Sequence, residues 1–206
     1  MPYSIKLNNI YLDINKISIL RNISLKLRNN GITLITGHNG AGKSSLLRVM
    51  AGFIKPSKGN ISYVDYNYNS PVGFVFQKPI MLDRSVNDNL LHALNSNCLT
   101  LNDKQLIIDE TLDENNVYHL KNLSAQNISI GEQQIISMLR ALIIQPSMLF
   151  LDEPTSSLDP QYTQIVENLI HNASKHTKVV LVTQSKYHLK IFREEILHLS
   201  NGEIIE

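Results

Sequence analysis

One cysteine, Cys98, stands among 206 residues. A single thiol excludes an internal disulfide and every metal site built from several cysteines; its plain reading is a small, half-buried apolar residue. An excess of either charge is missing too: 19 Lys and Arg face 18 Asp and Glu, for a formal net charge of +1. That balance makes no electrostatic case for nucleic acid, which asks for a strongly basic face, although a local basic patch is compatible with it. No apolar run reaches the roughly 20 residues that cross a bilayer. The richest stretch, Ile135 to Leu151, is broken by Arg140, Gln145 and Pro146. The opening Met-Pro-Tyr-Ser-Ile-Lys-Leu-Asn-Asn lacks the basic-then-apolar pattern of a secretory signal. The expectation is a cytoplasmic chain that meets a membrane only through a partner.

What is present fits one soluble domain with a full core, at 43% hydrophobic and 18% charged residues. Ile5 to Asp13 and Ile17 to Leu27 read as strands, with Asn29-Asn30-Gly31 as a turn. The short β-branched run Ile32 to Thr36 is typical of a buried strand. Helical spacing follows from Gly42 to Ala51, then strands at Ile61 to Val64 and Val72 to Phe76. In the polar loop between those strands, Tyr66 and Tyr68 invite a stacking role beside the simpler reading of a loop surface. From Ser85 the strand signals stop, and an apolar stripe of Val86, Leu90, Leu91 and Leu94 takes over. Alternation then resumes: a helical run at Gln133 to Ile144, strand Met148 to Leu151, helix Gln161 to Ser174, strand Val179 to Thr183, helix Lys186 to Phe192, strand Ile196 to Leu199. Repeated βα units imply a mainly parallel sheet covered by helices. The expected organisation is a single domain over 1–206, with a core at 1–84 and 140–206 and a helical insertion at about 85–139.

Two segments carry chemistry. Gly37-His38-Asn39-Gly40-Ala41-Gly42-Lys43-Ser44 fits the G-x-x-x-x-G-K-[ST] phosphate loop, between a predicted strand and a predicted helix that Ser45 continues. Its glycines let backbone N–H groups turn inward around a phosphate. Lys43 is then the cation for the terminal phosphate oxygens and Ser44 the hydroxyl for magnesium. His38 reads as a filler. The strand at Met148 ends in adjacent carboxylates, Asp152 and Glu153. Asp152 suits the same magnesium ion, and Glu153 suits polarising an attacking water. Ser129 and Gly131 precede the helical run at Gln133, where free N–H groups and the helix dipole favour an anion.

With these motifs in place, nearly the whole chain resembles the ATP-binding cassette (ABC) ATPases. Gly37 to Ser44 resembles the family's Walker A segment and Met148 to Glu153 its Walker B. Ile128-Ser129-Ile130-Gly131-Glu132 resembles the signature Leu-Ser-Gly-Gly-Gln, matching at Ser129 and Gly131. Gln77 resembles the Q-loop glutamine, and Ser157-Leu158-Asp159 the D-loop. The resemblance implies a P-loop NTPase (RecA-like) core with an N-terminal antiparallel β part and an inserted helical subdomain. It implies ATP and magnesium as ligands, Gln77 joining Ser44 and Asp152 at the metal. It also implies a head-to-tail dimer of cassettes, in which Ser129 and Gly131 cover the ATP held by the partner's Walker A loop.

Two positions depart from the pattern. Where the family has its switch histidine, Leu181-Val182-Thr183-Gln184 supplies glutamine. An amide still donates a hydrogen bond to a γ-phosphate but cannot become cationic, so slower hydrolysis is expected. The adenine-stacking aromatic is also absent from its usual place near Ile14; Tyr11 is the nearest tyrosine, as a stacking residue or as ordinary strand packing. The expected job is the energising subunit of a transporter, peripheral on the inner face of the cell membrane through a separate permease, with a solute-binding protein if it is an importer. Pro79 to Leu90 resembles cassettes of oxyanion importers, those for tungstate, molybdate or phosphate. The chain ends soon after Ile205, which leaves no added regulatory domain to expect. Alternatives are a soluble cassette acting on ribosomes or DNA, and a slow nucleotide sensor suggested by Gln184.

Overall fold

A computed structural model describes residues 4–64, 71–96, 99–192 and 194–205. Tyr66, Tyr68 and Cys98 lie outside them. Strand β1 (Ser4–Ile14) pairs antiparallel with β2 (Ile17–Lys26) on one side and with β4 (Lys58–Val64) on the other. This small sheet is the antiparallel part expected at the N-terminus.

The larger sheet runs β5-β6-β7-β3-β8-β9. Its strands are β3 (Ile32–Thr36), β5 (Val72–Val75), β6 (Met148–Asp152), β7 (Lys178–Val182), β8 (Glu195–Ser200) and β9 (Glu203–Ile205). All neighbours are parallel except β8 and β9. Every residue of β3, β6 and β7 is buried, as a sheet covered on both faces requires. Alternation sends their side chains to two cores. Leu34, Leu149, Leu151, Val179 and Leu181 face one that includes the helical insertion. Ile35, Phe150, Val180 and Val182 face the other, filled by β1, β2 and helix α1 (Lys43–Met50).

Between β5 and β6 the described residues form helices α2 (Val86–Ala93), α3 (Leu101–Glu114) and α4 (Ile130–Leu142), with two short 3-10 turns. Helix α5 (Pro160–Ser174) and a single turn, α6 (His188–Ile191), complete the helices. Buried Asn89 accepts from Leu82 N and from Arg140 Nη1 and donates to Leu82 O, pinning the segment before α2 onto α4.

Several elements differ from the sequence-based expectation, among them β4, which begins at Lys58 and not Ile61. Helix α4 begins at Ile130, not Gln133, because Ser129 caps it and Glu132 closes the cap from within the first turn. The helix expected over Lys186 to Phe192 shrinks to one turn, since the Ser185 hydroxyl takes the N–H groups of Tyr187 and His188. Strand β9 is additional; it returns from the Asn201–Gly202 turn beside β8.

Candidate active site at the strand ends

In open parallel sheets ligands bind beyond the carboxyl ends of the strands. Here the ends of β3, β7 and β6 lie side by side. They present the loop Gly37 to Gly42, the pair Thr183 and Gln184, and the pair Asp152 and Glu153.

The loop after β3 turns through positive φ at Gly37, Gly40 and Gly42, the backbone that a phosphate cradle needs. Gly37 has φ 152, and a Cβ there would lie 2.0 Å from Leu199 O, so no other residue fits. Ala41 is buried, while His38, Asn39 and Gly40 are exposed. His38 points its ring Nδ1 at Asn39 O, 2.8 Å away. Lys43, only 5% exposed, curls back and donates from Nζ to Gly37 O and His38 O, both at 2.9 Å. Its ammonium thereby stands over the loop beside the free N–H groups at the start of α1, where Ser44 and Ser45 sit.

Ser44 Oγ donates to Asp152 Oδ1 at 2.7 Å, joining the two segments that the sequence separates. Asp152 is 2% exposed, and Arg48 Nη2 lies 3.7 Å from its other oxygen. A hydroxyl and a buried carboxylate are hard oxygen donors of the kind magnesium takes, so this pair fits that ion. Gln77 is exposed and its Nε2 bonds Ser156 Oγ at 3.3 Å rather than Ser44 or Asp152.

Glu153 turns sharply away from Asp152, with φ 46, while its N–H still extends the ladder to Val182 O at 3.0 Å. That left-handed backbone, rare for a non-glycine residue, aims the carboxylate along the strand ends. Gln184 Nε2 donates to Glu153 Oε1 at 2.7 Å and also to Asn39 Oδ1. Strand order makes this reach automatic. β7 lies between β6 and β3, so the residue after it has Glu153 on one side and the phosphate loop on the other.

Ser129 and Gly131 sit at the start of α4, and among the described residues no hydrogen bond joins either to the phosphate loop. Ser129 and Glu132 make a reciprocal cap: Ser129 N and Oγ each donate to Glu132 Oε2 at 2.7 Å, and Glu132 N donates back to Ser129 Oγ at 3.3 Å. Gly131 is buried against the Tyr162 ring of α5, which a Cβ would approach to 2.3 Å. Gly131→Ala is therefore expected to destabilise the fold by about 1–3 kcal/mol through overpacking. Thermal unfolding checks it; an unchanged midpoint would show that Tyr162 moves aside freely. Asp159 caps α5 by accepting from Tyr162 N at 3.1 Å, and Pro160 follows at the first helical position. Tyr11 is half-buried on β1, its ring 6.0 Å from Lys58 Nζ on the neighbouring strand.

Several residues at the site carry no sequence motif: Arg48, Asn39 as partner of Gln184, and the group Thr183, Glu167 and His188. Arg48 lies a turn beyond Ser44 on the same helix, a spacing that could have signalled it. The others come together only through strand order and helix packing.

Comparison with known proteins agrees with this arrangement. A family model described as "ABC transporter" matches residues 20–156. The phosphate import ATP-binding protein PstB of Ehrlichia ruminantium (strain Gardel) is 32% identical over 220 residues, covering 96% of this chain and 86% of its own. The zinc import ATP-binding protein ZnuC of Buchnera aphidicola subsp. Baizongia pistaciae (strain Bp) is 39% identical over 166 residues, covering 77% and 64%. A chain of a metal-chelate type ABC transporter, solved in an inward-facing conformation, superposes with TM-score 0.83 at 27% identity, covering 100% of this chain and 82% of its own. With its phosphate loop, its paired carboxylates and these likenesses, the chain belongs to the ABC transporter family and is one of its ATP-binding cassette ATPases.

Proposed function

We propose that this chain hydrolyses ATP to energise import of a small inorganic ion through a separate membrane permease. The observation that carries the reading is the union of three segments at the strand ends: Ser44 bonded to Asp152, and Gln184 bonded to both Glu153 and Asn39. The N–H groups of Gly37 to Gly42 with Lys43, Ser44 and Ser45 bind the phosphates. Ser44 and Asp152 would hold magnesium, with Gln77 as the further donor the family resemblance implies; the ion would neutralise charge on the β and γ oxygens. Glu153 accepts a proton from the attacking water, and Gln184 orients that carboxylate. Ser129 and Gly131 complete the site of a second, identical cassette, so ATP binds two copies together and hydrolysis releases them. Among the described residues no helix is long and apolar enough to cross a membrane, which supports a separate permease.

Both curated relatives bear importer names, one for phosphate and one for zinc. The segment Pro79 to Leu90 favours the oxyanion. Purification of the tagged chain from membranes, followed by ATPase assays of the complex in vesicles, tests both levels. A co-purifying integral membrane protein and stimulation by phosphate or tungstate are expected. Stimulation by zinc alone would reverse the cargo, and recovery on ribosomes or DNA would replace the function.

Gln184 sets a second expectation. A cationic donor forms a hydrogen bond about 1 kcal/mol stronger than a neutral amide does, and that difference is roughly fivefold in rate. Gln184→His should therefore raise turnover by about that factor. An unchanged rate would mean the glutamine is no handicap.

A further inference from the structure

Behind the site lies a histidine with no part in the chemistry above. His188 opens α6 and is only 1% exposed, a depth at which polar rings are held by specific partners. Its Nε2 is 3.0 Å from Glu167 Oε1 on α5, and its Nδ1 is 2.7 Å from Thr183 Oγ1 at the end of β7. A carboxylate only accepts, so the hydrogen of the neutral ring sits on Nε2, and Nδ1 accepts from the Thr183 hydroxyl. Thr183 Oγ1 in turn accepts from Ser185 N at 3.0 Å. Burial pushes the imidazole below its usual pKa while the Glu167 carboxylate pulls it up, and burial is the larger influence. The neutral ring is thus the form that completes every bond in the chain from Ser185 through Thr183 to Glu167.

These partners bracket Gln184. Thr183 precedes it and Ser185 follows it, and both are bonded into the chain that ends on His188. On the other side, Thr155 Oγ1, two residues after Glu153, stands 3.5 Å from His188 Nε2. A cavity of about 450 Å³ is lined by Glu153, Gln184, Thr183, Thr155, Glu167 and His188 together. The ring is therefore fastened to a rigid helix and reaches the turn that must hold the Gln184 amide on Glu153.

We propose that His188 is a positioning residue for hydrolysis, clamping the 183–185 turn onto α5 so that Gln184 keeps Glu153 and the phosphate loop in register. This rests on the roles assigned above to Glu153 and Gln184. The bonds of His188 and Thr183 do not reach the loop Gly37 to Gly42, and Gln184 touches that loop only at the Asn39 side chain and not at its backbone N–H groups, so the clamp acts on the chemical step far more than on nucleotide binding. Misplacing a group at a reacting centre by about 1 Å costs up to about 100-fold in rate.

Steady-state ATP turnover of the full-length chain tests the clamp. His188→Phe keeps an aromatic ring but loses both nitrogens; kcat should fall about tenfold or more while the KM for ATP stays within about twofold. His188→Asn places an amide oxygen near the former Nδ1, able to accept from Thr183, and should recover most of the rate. Thr183→Val removes the same bond from the other side with little change of shape, and should reproduce the loss even if the phenylalanine variant fails to fold. In a Gln184→Ala background, which should itself be impaired, His188→Phe should lower kcat little further. Additive losses, equal damage from Asn and Phe, a defect confined to KM, or full activity of Thr183→Val would each overturn the clamp. If Gln184→Ala alone is silent, the role of Gln184 has failed, and the clamp falls with it.

Discussion

Glu153→Gln is expected to abolish turnover while leaving ATP binding intact. Losing a general base lowers the rate by about 10²–10⁴. Little else changes: the side chain keeps its length, and its amide oxygen still accepts from Gln184 Nε2, which lies 2.7 Å from the carboxylate. Removing a negative charge beside the phosphates also relieves repulsion in the bound state. ATP should therefore trap the variant as the two-copy sandwich, visible as a stable dimer by light scattering where the native chain returns to monomer. Undiminished hydrolysis would remove Glu153 from the base role. Lost turnover without a dimer would instead count against the sandwich.

Lys43→Met should fail one step earlier. The native ammonium is held over the loop by Gly37 O and His38 O, both 2.9 Å away, so little ordering remains when it meets a phosphate. A charge-assisted bond contributes about 1.5–3 kcal/mol, or roughly 10- to 100-fold in ATP affinity. Loss of a preorganised donor lowers the chemical step by about 10²–10³ more. The two variants thus separate by a simple readout, the rise in unfolding temperature on adding ATP and magnesium. Glu153→Gln should keep or enlarge that rise, and Lys43→Met should lose most of it. A full ATP-dependent rise in Lys43→Met would show that backbone N–H groups alone hold the nucleotide.

Features confined to a few neighbouring residues are legible in the sequence itself. Gly37 to Ser44 reads as a phosphate loop because a predicted strand precedes it and a predicted helix follows, and Met148 to Leu151 reads as a buried strand from composition alone. The bond between Ser44 and Asp152 is foreseeable from the expectation that one magnesium ion takes both. The partners of Gln184 are not, since they depend on β7 lying between β6 and β3, and sequence order says nothing of that. His188 is hidden for a related reason: one turn of helix carries no periodicity, and its partners come from β7 and α5. Helix α4 starts ahead of the expected Gln133, although Ser129 and Glu132 spell a capping box. Their spacing is plain in the chain, but an anion-binding role for Ser129 competes with the simpler duty of starting a helix. The close fit of Gly131 to Tyr162 belongs to packing between helices and has no local signal.

The left-handed backbone of Glu153 has a bearing on how such a chain would change over generations. An ordinary side chain held at positive φ costs the fold about 1–2 kcal/mol, and asparagine would relieve much of that. Glu153→Asn should then unfold at a higher temperature than the native chain while hydrolysing nothing. A lineage freed from the need to hydrolyse ATP would drift downhill toward such a residue, trading activity for stability. If Glu153 is the base proposed above, glutamate at this strained position marks a chain still held to hydrolysis.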